Sequence, residues 1–197
     1  MRLRIVAGFV MATLVVAGPR TASAQEDAEG PLVVSHPVLI ASLARLSAGS
    51  ASWRDALAAV SITGRRTILT TPDKTEYGFD VDRLAQALPL VDEQQRVSAV
   101  VVIINLELMQ RMSGLPVKAV QFEDDLDRIL AHEVFGHAIP LVQAGHLAGN
   151  CDDPAPGQRA TDACAIKREN LIRKELRLGQ RFDHGRDSLA IARRYWQ

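Results

Sequence analysis

The sequence lacks the features that point to a nucleic-acid partner, a disulfide-rich scaffold or a repeat architecture. Its 23 Lys and Arg residues equal its 23 Asp and Glu residues, so no basic surplus predicts binding to nucleic acid or to an anionic membrane. Two cysteines in 197 residues are too few for a scaffold held mainly by disulfides. Apolar residues make up 47% of the chain, which is enough for a hydrophobic core in one domain of ordinary size.

The first 24 residues are predicted to be a secretory signal peptide. Arg2 and Arg4 give a positive start, and the apolar run from Ile5 to Ala17 is shorter than a membrane span. Ala22-Ser23-Ala24 fits the rule of small residues at a cleavage site. An uncleaved anchor is the alternative, but Gly18-Pro19-Arg20 interrupts the apolar run and favours cleavage. We therefore expect a secreted or periplasmic protein with no stable membrane insertion; the oligomeric state stays open.

Beyond the signal peptide, residues 25–36 are expected to form a flexible lead-in and residues 37–197 one domain. Apolar spacing predicts an α+β pattern, with helices first, then a few strands, then helices again. The predicted helices cover 37–46, 52–60, the 122–134 region, 161–178 and 187–196, with a further helical turn or two over 81–88; the predicted strands cover 66–70 and 98–108.

The two cysteines, Cys151 and Cys164, bracket a loop that contains proline and glycine. In an exported chain an even number of cysteines predicts a disulfide, which would restrict this loop. The alternatives are two thiolate metal ligands, although the spacing matches no common zinc knuckle, or two free thiols in a reducing compartment.

The stretch LAHEVFGHAIP places two histidines and a glutamate within six residues. His132-Glu133-x-x-x-His137 differs from the HExxH signature of zinc peptidases by one extra residue. On a regular α-helix a spacing of five rotates the second ring by about 140°. A π-bulge would bring the rings back to one face, and Gly136 lies where such a bulge needs backbone freedom. This motif predicts a Zn²⁺ site at His132 and His137, with Glu133 as the general base.

A zinc site of this kind needs a third protein ligand, usually a carboxylate from a later helix. Asp162 and Glu169 lie seven residues apart on a predicted helix, so both fall on one helical face. Asp162 is the preferred ligand and Glu169 the alternative. Glu169 and Asn170 could instead be a buried polar pair that holds helices together. His146 is another candidate ligand, although its spacing from His137 is long.

Two resemblances to known families rest on these residues. HEVFGH is similar to the HExxGH form of dipeptidyl peptidase III-like enzymes over those six residues. More broadly, residues 98–186 resemble bacterial effector-type zinc metallopeptidases, whose pattern is L-x-HE-x-x-HA followed by E-x-x-A-x-x-x-EN-x-x-R-x-E-x-G. The corresponding residues here are Leu130, His132, Glu133, His137, Ala138, Asp162, Ala165, Glu169, Asn170, Arg173, Glu175 and Gly179. Asp162 stands at the place of the first glutamate, and Gly179 lies two residues later than the glycine of the written pattern.

The resemblance implies a small zincin-like fold, with a few-stranded sheet packed on a metal-binding helix and on a following carboxylate helix. It implies that His132 and His137 bind zinc, and that Asp162 takes the place of the ligand glutamate. A donor for the developing oxyanion would come from His184, with Tyr195 as the alternative. In such enzymes an edge strand binds extended substrate; the strand over 98–108 could do this, or be a buried central strand.

The expected function is a secreted zinc-dependent metallopeptidase that hydrolyses peptide bonds with a zinc-bound water activated by Glu133. Its partner would be a peptide or protein substrate, and no nucleic acid. The alternative is a non-catalytic exported zinc-binding or interaction protein on the same scaffold. The extra residue between the histidines and the Asp in place of Glu keep this alternative open.

Overall fold

The structure is a computed structural model and describes residues 30–147 and 160–182. Several predictions therefore lie outside the described residues: the signal peptide and most of the lead-in, Cys151, His184, Tyr195 and the helix over 187–196. Cys164 is described; it is buried and is not a free cysteine. The Cys151–Cys164 bridge stays a prediction.

Four strands form one mixed sheet in the order β1-β2-β4-β3. The strands are β1 (Leu32–Val34), β2 (Arg66–Thr70), β3 (Ala85–Val91) and β4 (Val97–Ile104). β2 lies parallel to both β1 and β4, whereas β3 is antiparallel to β4. Among the described residues β3 is therefore an edge strand. β1 lies inside the predicted flexible lead-in, so ordered structure begins before residue 37.

The central strand β4 is the most apolar strand of the sheet. Its residues from Val100 to Ile104 have no exposed surface, as expected for a strand with both faces covered. The strand ends earlier than predicted because Asn105 caps a new helix, α3 (Leu106–Ser113), by accepting a hydrogen bond from the N–H of Leu108. The interpretation of this segment as a substrate-binding edge strand is wrong, since β4 lies between β2 and β3.

The prediction of a helical turn over residues 81–88 is also wrong. This segment enters β3, which pairs with β4 along its whole length from Ala85 to Val91. Pro89 is compatible with the strand because an edge strand has one side where no backbone N–H is needed. Pairing with β4, which follows after a short turn, outweighs the helical preference of the local alanine and leucine residues.

The first two helices match their predictions. α1 (Pro37–Gly49) starts with proline at its first position, and the His36 side chain accepts a hydrogen bond from the N–H of Val38. Ser50 caps α2 (Ala51–Ser61) by accepting from the N–H of Trp53. Both helices contribute to the core, in which Leu39, Leu46, Trp53 and Val60 are fully buried.

The motif segment forms one continuous helical rod. It runs from α4 (Val120–Leu130) through a π-helix (Ala131–Ala138) into α5 (Ile139–Ala144). The last long helix, α6 (Ala160–Glu175), packs along the π-helix. α6 ends before the predicted Gly179, because Arg177 adopts a left-handed conformation with φ 58°.

These elements make an α+β fold with helices packed on a four-stranded mixed sheet. The buried apolar residues that join the layers come from β2, β4, the π-helix and all six α-helices. Within residues 30–147 and 160–182, no helix is both long and apolar enough to cross a membrane.

Candidate metal centre

The π-helix resolves the odd spacing of the two histidines. Its i→i+5 hydrogen bonds, such as Ile139 N–H to the carbonyl of Val134, make residues five apart neighbours along the helix. His132 and His137 therefore project from the same side. The expectation of π geometry between the histidines is confirmed, and the π segment spans eight residues rather than a single bulge.

The Nε2 atoms of His132 and His137 lie 3.2 Å apart. The two rings are nearly perpendicular, with an interplanar angle of 86°. Two imidazole nitrogens bound to one tetrahedral zinc ion, each at 2.0–2.1 Å, would be about 3.3 Å apart. The pair therefore fits two positions of one tetrahedral metal site.

Gly136 allows α6 to approach the π-helix closely. A β-carbon at Gly136 would lie 2.9 Å from the β-carbon of Ala165 and 3.0 Å from its Cα. No side chain larger than hydrogen fits there without moving α6. Gly136 therefore allows α6 to lie close to the π-helix. This role differs from the expected one, which was backbone freedom for a bulge.

Glu133 follows His132 in the π-helix and faces the edge strand. Its carboxylate accepts a hydrogen bond from the backbone N–H of Ala87 in β3. The residue is half-buried, with its carboxylate against the backbone of β3. Burial raises the pKa of this carboxyl group, and the nearby Glu169 carboxylate raises it further. A carboxylate with a raised pKa is a stronger base than an ordinary carboxylate, which suits the acceptance of a proton from water.

Glu169 and His137 lie on opposite sides of the His132 ring. Its carboxylate is hydrogen-bonded to His132 Nδ1 and is fully buried. Burial alone would raise the pKa of Glu169, but the hydrogen bond with His132 and the charges of Arg173 and Arg181 outweigh it and lower the pKa. The Glu169 carboxylate thus lies on the Nδ1 side of His132, while the converging nitrogens of the histidine pair are both Nε2.

Two arginines surround the same carboxylate. Arg173 Nε lies 2.6 Å from Glu169 Oε1, as an ion pair whose angle does not meet hydrogen-bond geometry. The Arg181 guanidinium lies 3.5 Å from Glu169 Oε2. Arg181 was not among the site residues predicted from the sequence. Ala87 was not among them either, because its strand was predicted as helix.

Asp162 is half-buried, two turns before Glu169 on α6. Glu169 contacts His132, and Ala165 lies against Gly136. This antiparallel order places Asp162 towards the His137 end of the π-helix. Within the described part of the chain, no group of three His, Cys, Asp or Glu side chains is arranged to hold a metal ion. The structure thus brings together the histidine pair and Glu133, and leaves the third ligand a prediction.

His146 lies away from this site. It is exposed and forms a single β-bridge with Arg96. The neighbouring Gly145 binds the N–H of Val97, at the start of β4. Ala87, which contacts Glu133, pairs with Val102. Val97 and Val102 are five residues apart on β4, which corresponds to roughly 16 Å along the strand.

No family model, curated protein or solved structure gives a significant match to the chain.

Proposed function

We propose that this protein is an exported zinc-dependent metallopeptidase of zincin-like fold. The observation that supports it best is the convergence of two histidine Nε2 atoms at 3.2 Å, with the Glu133 carboxylate following directly in the chain. His132 and His137 would hold the metal, together with Asp162 as the preferred third ligand. A bound Zn²⁺ would supply the Lewis acid that polarises the scissile carbonyl.

Glu133 would act as the general base. Its buried carboxyl group has a raised pKa, so it can take a proton from the attacking water and then pass it to the leaving amine. Its hydrogen bond to the N–H of Ala87 fixes the carboxylate at the outer side of β3. The base therefore lies where a peptide aligned along this edge would pass.

The outer side of β3 would bind an extended peptide by strand addition. β3 is partly exposed along its length and pairs with β4 on one side only among the described residues. The Ala87 N–H is bonded to Glu133 and Pro89 has no N–H, so the peptide would pair with backbone carbonyl oxygens on this edge, which would place the scissile bond beside Glu133. His184, or else Tyr195, would supply a donor for the oxyanion.

The direct test is Glu133→Gln in the mature chain. Zinc content, measured by atomic absorption, should stay equal to that of the wild type, because Glu133 is not a ligand. Cleavage of a quenched fluorescent peptide library should fall by at least about 100-fold, the lower range for loss of a general base. Glu93→Gln is a matched control, since Glu93 is exposed in the β3–β4 turn; it should retain both properties.

Two results would contradict the proposal. A wild-type protein that binds no zinc would remove the metal site. A zinc-loaded wild type that cleaves no peptide, or cleaves no faster than Glu133→Gln, would favour the alternative, a non-catalytic zinc-binding protein.

A further inference from the structure

Glu169 and His137 contact opposite nitrogens of the His132 ring. The Glu169 carboxylate is bonded to Nδ1, and His137 Nε2 lies 3.2 Å from Nε2. A neutral imidazole carries one proton, on one of its two nitrogens. Two arginine side chains lie 2.6 Å and 3.5 Å from the oxygens of Glu169, so this ion-paired carboxylate accepts and His132 donates from Nδ1. Its Nε2 then presents a lone pair on the side where His137 lies.

The position of Glu169 is fixed by groups from two segments. Arg173 lies one turn further along α6, and its side chain is buried against Glu169 Oε1. Arg181 reaches Oε2 from the segment that follows α6. Two positive charges therefore keep the carboxylate ionised and hold it in place behind the His132 ring.

Asn170 fixes the segment that carries Arg181. Its side-chain amide donates to the carbonyl of Arg181 at 2.7 Å, and its side-chain oxygen accepts from the N–H of Arg181 at 2.8 Å. Arg128 supports the same segment by donating to the carbonyl of Leu178. Glu169 therefore holds the His132 ring. Its neighbour Asn170 holds the backbone of Arg181, whose side chain contacts Glu169.

We propose that Glu169, Asn170, Arg173 and Arg181 form a positioning unit for His132, and that Glu169 is a positioning residue rather than a metal ligand. The unit fixes His132 as the Nδ1–H tautomer and directs its Nε2 lone pair towards the metal position. Partners of this kind orient a ligating imidazole and increase its basicity. The part of the inference that concerns metal affinity rests on the proposed function, whereas the tautomer does not.

The tautomer is measured on the metal-free mature chain by long-range ¹H–¹⁵N NMR of the histidine rings. The His132 signals are assigned by comparison with His132→Asn. The expected result is protonation at Nδ1 and a bare Nε2 in the wild type. A His132 ring protonated mainly at Nε2, or a mixture of tautomers, would overturn the proposal.

Metal affinity is measured by chelator competition with Zn²⁺ alone. Glu169→Gln should weaken zinc binding by roughly 10–100-fold. Arg181→Gln should weaken it by less than tenfold, because Arg181 is partly solvent-exposed and lies 3.5 Å from the carboxylate. The control is Glu175→Gln, on the same helix, whose carboxylate binds Ser50 and Ser52 instead. Zinc affinity of this control should equal that of the wild type.

Cobalt substitution distinguishes positioning from ligation. If Glu169 only positions His132, the visible absorption bands of the Co²⁺ protein keep their shape in Glu169→Gln. A spectrum that shows one ligand fewer would overturn the assignment. Glu169→Gln leaves Arg173 buried without this carboxylate and can fail to fold; Arg181→Gln and the wild-type tautomer then still decide the question.

Failure of this inference and failure of the proposed function are distinguishable. Unchanged zinc affinity in both Glu169→Gln and Arg181→Gln would contradict the positioning unit and leave the peptidase proposal intact. A wild type that binds no zinc but shows the Nδ1–H tautomer would contradict the peptidase proposal and support the positioning unit.

Discussion

Gly136 of the π-helix and Ala165 of α6 lie in direct backbone contact. An added β-carbon at Gly136 would stand 2.9 Å from that of Ala165 and 3.1 Å from its carbonyl oxygen. Two of these three neighbouring atoms belong to the backbone of α6, so no side-chain rotation can relieve the contact. This contact sets the distance at which Glu169 reaches His132.

We expect Gly136→Ala to destabilise the fold and to weaken zinc binding. Overpacking of this kind costs about 1–3 kcal/mol, which exceeds the gain of about 1 kcal/mol that alanine brings over glycine inside a helix. Urea unfolding and chelator competition measure the two effects. Gly78→Ala is the control, because a β-carbon there would meet no atom within 4 Å. Equal stability of the two variants would mean that α6 moves freely and that the contact does not set the site.

We expect Asp162→Asn to weaken zinc binding by more than 100-fold, because an amide oxygen is a poorer zinc ligand than a carboxylate. Asp162 shares a helix face with Glu169 and lies towards His137. His146→Ala tests the competing third ligand and should bind zinc as the wild type does, since His146 is exposed and bridges Arg96 at the far end of β4 from the strand position that faces Glu133. Both affinities follow from chelator competition. The reverse result would identify His146 as a ligand and require a different arrangement of the segment after α5.

We expect Ala87→Pro to lower peptide hydrolysis while zinc content stays unchanged. The N–H of Ala87 faces Glu133 rather than β4, so proline would remove the contact to the base without breaking the sheet. Pro89 lies two residues further on and, by strand alternation, directs its nitrogen to the same side.

The control for Ala87→Pro is Leu88→Pro, in which the lost N–H faces the paired strand. This variant should lose about 3 kcal/mol or more of unfolding free energy, whereas Ala87→Pro should stay within about 1 kcal/mol of the wild type. Stability is measured by urea unfolding. Full hydrolytic activity in a folded Ala87→Pro protein would show that the Ala87 N–H does not position the Glu133 carboxylate for catalysis.

The helices and strands that could be predicted from the sequence are those whose structure follows from the pattern of their own apolar residues. α1, α2, β2 and the central position of β4 follow from apolar spacing and from β-branched runs. β3 could not be predicted, because its strand conformation depends on pairing with β4 and its sequence alone favours a helix. The end of α6 was placed too late, since Arg177 leaves the helix before the glycine that marked its predicted end.

The sequence by itself determined that His132, Glu133 and His137 lie in one short segment, and that a spacing of five requires a π turn to align the rings. That follows from helix geometry alone. Only the tertiary structure decided that Glu169 lies on the Nδ1 side of His132, that Ala87 faces Glu133, and that Gly136 serves contact with Ala165. Each of these depends on how α6 and β3 approach the π-helix, and such approaches are set by packing between segments that are distant in the chain.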